Sequence, residues 1–257
     1  MTAGNIAIIG GTGFEVLPSD IYAEPIEVTT RYGGVRVLSV SDNYTEPQKL
    51  YFLSRHGADH GLAPHEIDYR ANIAALVALG VRAVLATNAV GSLRKVLLPG
   101  TLVLLDDFID QTRGRERTYF RSPEAWSHTD FSIPYSPCLR QAVITAAAEL
   151  GIQVTNGGTY VGCDGPRFET PAEIRMFARL GGDVVGMTGL PEAVMAREAG
   201  LHYAALAIIT NLGAGLTEAP IRHEEVVDEM ERTIGSVREL MLRAAAHYVQ
   251  HNSQSAI

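Results

Sequence analysis

Short apolar runs recur along this chain, several of them continuous rather than alternating, and they constrain its fold more than any other feature. They are "NIAIIG", "VRVLSV", "KLYFLS", "RAVLATN", "TLVLLDDF", "IQVTNGGTYVG", "DVVGMTG" and "YAALAIITN". A strand that is apolar on both faces must be covered on both faces, as in a sheet sandwiched between helices. Helical patterns do alternate with the runs. The spacing predicts helices over 65–79 and 137–150, stopped by Gly80 and Gly151. Thr170-Pro171-Ala172-Glu173 reads as a capping box with proline in the first turn, opening a helix through Arg179. Another helix is expected from Pro191 to Gly200. A long amphipathic one should run from His223 to about residue 250, with 251–257 fraying. There is no linker, low-complexity tract or internal repeat. The expected fold is therefore α/β: a single domain over 1–257 with a central twisted, mixed β-sheet flanked by helices.

Composition narrows the function. With 257 residues the chain can bury a full core, and 46% apolar with 19% charged residues excludes an intrinsically disordered chain. The net charge of −8, with no run of Lys or Arg longer than two, argues against nucleic acid and anionic membrane as partners. An anion site would have to be built locally. No apolar stretch approaches the ~18 residues of a membrane span. Cys138 and Cys163 lack metal or disulfide spacing, and "MTAGN" lacks a basic leader; both features fit a cytoplasmic protein. Cys138, inside an expected helix, reads as core.

Small residues and polar groups collect in the loops after strands, where open α/β sheets bind ligands. The stretches are "GGTGF", "LSRHG", "TNAVGS" and "GMTG". The first is no dinucleotide fingerprint, because Val16 stands where the third glycine belongs, and no Gly-Lys-Ser/Thr follows for a nucleoside triphosphate. A tight turn that needs glycine for backbone reasons explains it equally well. Arg55 and His56 are adjacent, so they face one ligand only if Gly57 allows a turn; a salt bridge plus a structural histidine is the alternative. For Met187, core packing is the commoner use. His56, His60 and His65 show no metal-site pattern, and there is no G-x-S-x-G. What remains is an anion site with neither metal nor protein nucleophile, in which the bound anion itself would attack.

Taken in order, "IIGGTGF", "RHG", "YRANIAAL", "TNAVGSL", "LPGTLVLLDDFIDQT", "GTYVGCDGPRFETPAEIRMF" and "GMTGLPEAVMAREAG" resemble the trimeric purine nucleoside and methylthioadenosine phosphorylases. The likeness runs from Ile6 to the final helix. It implies phosphorolysis of a purine nucleoside, with inorganic phosphate as co-substrate and no cofactor or metal. It also implies a homotrimer, with a dimer of trimers as the alternative. Thr12, Arg55, His56, Asn88, Ala89 and Thr188 match the family's phosphate-binding positions. Met187 matches the sugar contact and Phe168 an aromatic wall against the base. Asn211 and His56 carry the catalytic roles, and Gly213 falls beside the base.

Base choice departs from half of the family. Methylthioadenosine-specific members carry a serine after the "GPRF" phenylalanine and the sequence "TDYD"; here Glu169 and Asn211 stand, followed by Leu212 and Gly213. Ionised Glu169 only accepts hydrogen bonds, so it suits the N1–H of a 6-oxopurine and repels the N1 lone pair of adenine. Asn211 can donate to O6 while accepting from N7–H. The expected activity is cleavage of inosine and guanosine in purine salvage. His223 falls where nucleoside-specific members place a histidine near the 5′-hydroxyl; it could instead simply open the last helix. An apolar residue there would mean S-methyl-5′-thioinosine phosphorylase, the first alternative. S-methyl-5′-thioadenosine phosphorylase is the second, and a non-catalytic nucleoside sensor the third. Ser132 replaces a histidine with which methylthio-specific relatives reach a neighbouring subunit. His60 is a further candidate at that surface.

Overall fold

Strand β1 (Asn5–Gly10) shows how the sheet is covered. Ile6 and Ile8 turn to one side and Ala7 and Ile9 to the other, and all four are sealed from solvent. Ala7 and Ile9 join a core with helices α1 (Tyr69–Ala78) and α4 (Gly189–Glu198); Ile6 and Ile8 join one with α2 (Pro137–Leu150) and α5 (His223–Gln254). The two-residue period of a strand thus feeds two helical layers at once. A computed structural model describes residues 4–17, 21–41, 45, 46, 48–57, 61–121, 126–218 and 220–254, without the side chains of 223 and 252–254.

Around β1 lie β2 (Ala23–Thr30), β3 (Gly33–Val40), β4 (Leu50–Ser54), β5 (Val81–Ser92), β6 (Leu102–Leu104), β7 (Asp107–Asp110), β8 (Val154–Asn156), β9 (Thr159–Gly162), β10 (Val184–Gly186) and β11 (His202–Leu212). They form one mixed sheet in the order β2-β3-β4-β1-β5-β10-β9-β7, with β11 pairing β5 and β6, and β8 pairing β6. β4, β1, β5 and β11 run parallel, so their carboxyl ends share one edge. β5 pairs with β1 along its first half and with β10 at its far end. Helix α3 (Pro171–Arg179) packs Ile174 and Phe177 against Leu93, Val161 and Val185 beyond that end.

Several expectations need correction. The run "TLVLLDDF" is two strands, as is "IQVTNGGTYVG", and both break at one place. The Asp106 carboxylate accepts the Gly158 N–H at 2.9 Å, and Gly157 adopts φ +107°. There the chain passes from the β6–β8 arm to the β7–β9 arm. Helix α1 starts at Tyr69, not at 65, because the Asp68 carboxylate caps it by accepting the Ala71 N–H at 2.8 Å. Helix α5 runs on through Gln254; 255–257 lie outside the described residues. Regular geometry in α4 begins at Pro191 as expected, since Leu190 is non-helical. The capping box at Thr170 is present in both directions, and Gly151 is left-handed. Cys138 is exposed, not core.

Candidate active site

The parallel strand ends open onto a cavity of about 420 Å³. Nine of the twelve residues expected to form a site line it: Thr12, His56, Ala89, Phe168, Glu169, Met187, Thr188, Asn211 and Gly213. Thr12 follows β1, His56 follows β4, Ala89 lies in β5, and Met187 and Thr188 follow β10. Phe168 and Glu169 come from the loop before α3. Two expected residues stand outside the lining, Arg55 and Asn88. His223 opens α5, but its side chain lies outside those described, and His60 lies outside the described residues altogether. Ser132 is exposed and donates its hydroxyl to Asp130 at 2.7 Å, apart from the cavity.

Each glycine of the first turn has a packing reason of its own. A Cβ on Gly10 would meet the Phe14 carbonyl oxygen at 1.9 Å, and Gly13 has φ +76°. A Cβ on Gly11 would lie 2.6 Å from Nη1 of Arg55. The turn thus accommodates a guanidinium beneath it and presents Thr12 to the cavity.

Arg55 and His56 do diverge. Arg55 is 1% exposed, and its Nε and Nη2 donate to the two oxygens of Glu192 at 2.6 and 2.7 Å. Nη1 donates to the Thr87 carbonyl at 2.8 Å, and Tyr203 donates its hydroxyl to Glu192 at 2.7 Å. Burial opposes the guanidinium charge, yet attraction to Glu192 raises its pKa above the ordinary arginine value. The salt bridge that stood as the alternative reading of this pair is thus present, and it is buried. His56 turns to the cavity; its Nδ1 lies 2.8 Å from the Leu62 carbonyl, which can only accept, so Nδ1 carries a proton. Asn88 stands behind Thr188 and donates Nδ2–H to its hydroxyl at 3.0 Å, while Asn88 Oδ1 is buried with no partner.

At the other wall, the pairing of β11 with β5 shifts register between Ile209 and Asn211. Such a bulge re-aims side chains, and here Thr210 and Asn211 both line the cavity. The Thr210 hydroxyl lies 3.1 Å from Asn211 Oδ1 and 3.3 Å from the Val90 carbonyl, and Asn211 Nδ2 donates to the Leu212 carbonyl at 3.1 Å. Each amide atom of Asn211 keeps capacity for one more hydrogen bond. Glu169 is half-buried; desolvation raises its pKa above the usual carboxylate value, and Glu173 adds to the rise.

Tyr160 is buried, and its hydroxyl accepts the N–H groups of Thr188 and Gly189 at 3.2 and 3.0 Å. Thr210, Ile221 and Val226, which line the cavity, escape a reading of the sequence, as do the buried Tyr160, Glu192 and Tyr203. Only the glutamate had a local signal, its place in "GMTGLPEA". Among the described residues, no group of three or more His, Cys, Asp or Glu is placed to hold a metal ion, and no helix is long and apolar enough to cross a membrane.

This fold and site define a class. Residues 5–246 match the phosphorylase superfamily, and the chain belongs to that family. It is 44% identical over 245 residues to the 6-oxopurine nucleoside phosphorylase of Pyrococcus furiosus, covering 93% of this chain and 91% of that one. It is 45% identical over 240 residues to a "Probable S-methyl-5'-thioinosine phosphorylase" of Methanopyrus kandleri, with 92% and 85% covered. Among solved structures, methylthioadenosine phosphorylase from Schistosoma mansoni in complex with adenine superposes with TM-score 0.88 at 30% identity, over 98% of both chains.

Proposed function

We propose that this chain is a 6-oxopurine nucleoside phosphorylase. One observation carries the reading: Glu169 and Asn211 line the same cavity as Thr12, His56 and Thr188. The first pair suits a base with an N1–H donor and an O6 acceptor; the second set suits a tetrahedral oxyanion. Similarity to the Pyrococcus enzyme supports it.

In this reading phosphate sits among Thr12, His56, the Ala89 backbone and Thr188. The buried charge of Arg55 lies beneath the Gly11 turn, and the orphaned Asn88 Oδ1 accepts from a protonated phosphate oxygen. The base stacks on Phe168 between Glu169 and Asn211, and the sugar lies over Met187. The C1′–N9 bond breaks with its electron pair passing to the purine, and C1′ becomes oxocarbenium-like. A phosphate oxygen then bonds to C1′. The hydrogen phosphate gives up one proton as it becomes the ester and the departing purine takes up one at N7, so the two balance through solvent. Asn211 Oδ1 accepts the N7–H so formed, an interaction that strengthens toward the transition state. Products are the free base and a pentose 1-phosphate. Phosphate serves as co-substrate and no cofactor is needed; the enzyme works in the cytoplasm as a homotrimer, with a dimer of trimers as the alternative.

A second reading, S-methyl-5′-thioinosine phosphorylase, is favoured by Ile221 and Val226, apolar groups in the cavity wall that could pack a methylthio group. It keeps the base contacts and changes only the sugar end. The test is hypoxanthine release from inosine with and without phosphate. Release only with phosphate, yielding ribose 1-phosphate, supports phosphorolysis; release in water alone would make the protein a hydrolase.

A further inference from the structure

Met187 and Thr188 belong to one segment of the cavity wall, Phe168 and Glu169 to another. The two meet at Gly165, where a Cβ would lie 2.3 Å from the Met187 sulfur. A third segment, after β7, brings Arg115 to this junction with its side chain only 4% exposed. Nη1 donates to the Met187 and Leu190 carbonyls at 2.5 and 2.9 Å and approaches the Tyr69 hydroxyl at 3.1 Å. Nη2 donates to the Asp164 carbonyl, and Nε faces the Asp164 carboxylate at 3.6 Å. One planar guanidinium therefore holds main-chain oxygens of both segments. On the 187–190 turn, the Tyr160 hydroxyl takes two N–H groups while Arg115 takes two carbonyls. The backbone of that turn is thereby clamped by one side chain at its donors and by another at its acceptors.

We propose that Arg115 is a positioning residue that sets the spacing between the base-contacting segment and the sugar- and phosphate-contacting turn. It touches neither ligand. It acts by keeping nucleoside and phosphate in register for attack, and it rests on the functional reading above. Lysine replaces it only in part, because one ammonium keeps the charge but lacks the planar fork that reaches both segments.

The experiment uses the full chain with Arg115→Met and Arg115→Lys. Each is assayed for inosine phosphorolysis, and hypoxanthine alone and phosphate alone are titrated calorimetrically. Loss of register of about 1 Å costs about 100-fold in rate, so kcat should fall about that much in Arg115→Met and by less in Arg115→Lys. The two separate dissociation constants should stay within about threefold of the parent, since each half-site is intact. A merely structural role would instead leave kcat unchanged or weaken both ligands in step with it, and either result overturns the proposal. Val237→Ala, in the core away from the cavity, serves as a control for lost stability and should keep its kcat. If the parent protein neither cleaves inosine nor binds hypoxanthine, the functional reading fails, which is a different result from any of these.

Discussion

Arg55 and Glu192 face each other through two hydrogen bonds of 2.6 and 2.7 Å, with both side chains at zero exposure. Removing one member of such a pair leaves an uncompensated buried charge and costs about 3–5 kcal/mol, whereas removing both is far milder. Glu192→Met should therefore lower stability in urea by roughly that amount, and Arg55→Met/Glu192→Met should recover most of it. The double variant should nevertheless bind phosphate more weakly than the parent, because the cation beneath the Gly11 turn is gone. Recovered stability together with the parent's phosphate affinity would show that Arg55 serves packing alone.

In the proposed reading Glu169 pairs with the N1–H best as a carboxylate, which only accepts hydrogen bonds, and burial holds its pKa above the usual value of 4.5. A raised pKa means that the proton returns at higher pH, so the acid limb of kcat/KM for inosine should lie above pH 4.5. Activity is lost as pH falls through that limb, and Glu169→Gln should flatten it. An unchanged limb in the variant would assign it to another group.

In the proposed reading, base choice follows from Glu169 together with Asn211. Glu169→Ser with Asn211→Asp should raise the ratio of kcat/KM for adenosine over inosine by at least about 100-fold, because mispaired buried polar groups discriminate by several powers of ten. The same double variant with an unaltered ratio would mean that other groups select the base.

The Tyr160 hydroxyl is the acceptor for two N–H groups of the Thr188 turn. Tyr160→Phe leaves both donors buried and unpaired, at about 1–3 kcal/mol. Phosphate KM should rise about tenfold, since 1.4 kcal/mol corresponds to that factor, and thermal stability should drop. A change in nucleoside KM alone would place the turn's role elsewhere.

The two thiols differ in environment. His202 Nδ1 lies 3.8 Å from Cys138 Sγ and, with Ser136, lowers that thiol's pKa; burial pushes Cys163 up to about 12. At neutral pH only the thiolate reacts, so iodoacetamide should label Cys138 well before Cys163. Peptide mapping by mass spectrometry reads the order directly.

Legibility in the sequence tracks the range of the forces. The capping box at Thr170 and the left-handed Gly151 are local, so residue identity alone announces them. The continuous apolar runs announce a sheet covered on both faces. β2 escapes because it is an edge strand with Pro25 inside and several exposed positions. Among the site residues, Thr12 and Thr188 stand beside glycines in loops after strands, where polar groups attract notice, whereas Glu169 and Asn211 are legible only through the family resemblance. Glu192 does not attract notice, because its burial depends on an arginine 137 positions away. Arg115 is hidden for the same reason: its partners are main-chain carbonyls, which no side-chain pattern reveals.

The most direct test of the account is the rate of base release from inosine, guanosine, methylthioinosine and methylthioadenosine, each with and without phosphate. Phosphate-dependent cleavage of the 6-oxopurine nucleosides, with methylthioadenosine inert, is the predicted result. Robust cleavage of methylthioadenosine would contradict the roles given to Glu169 and Asn211.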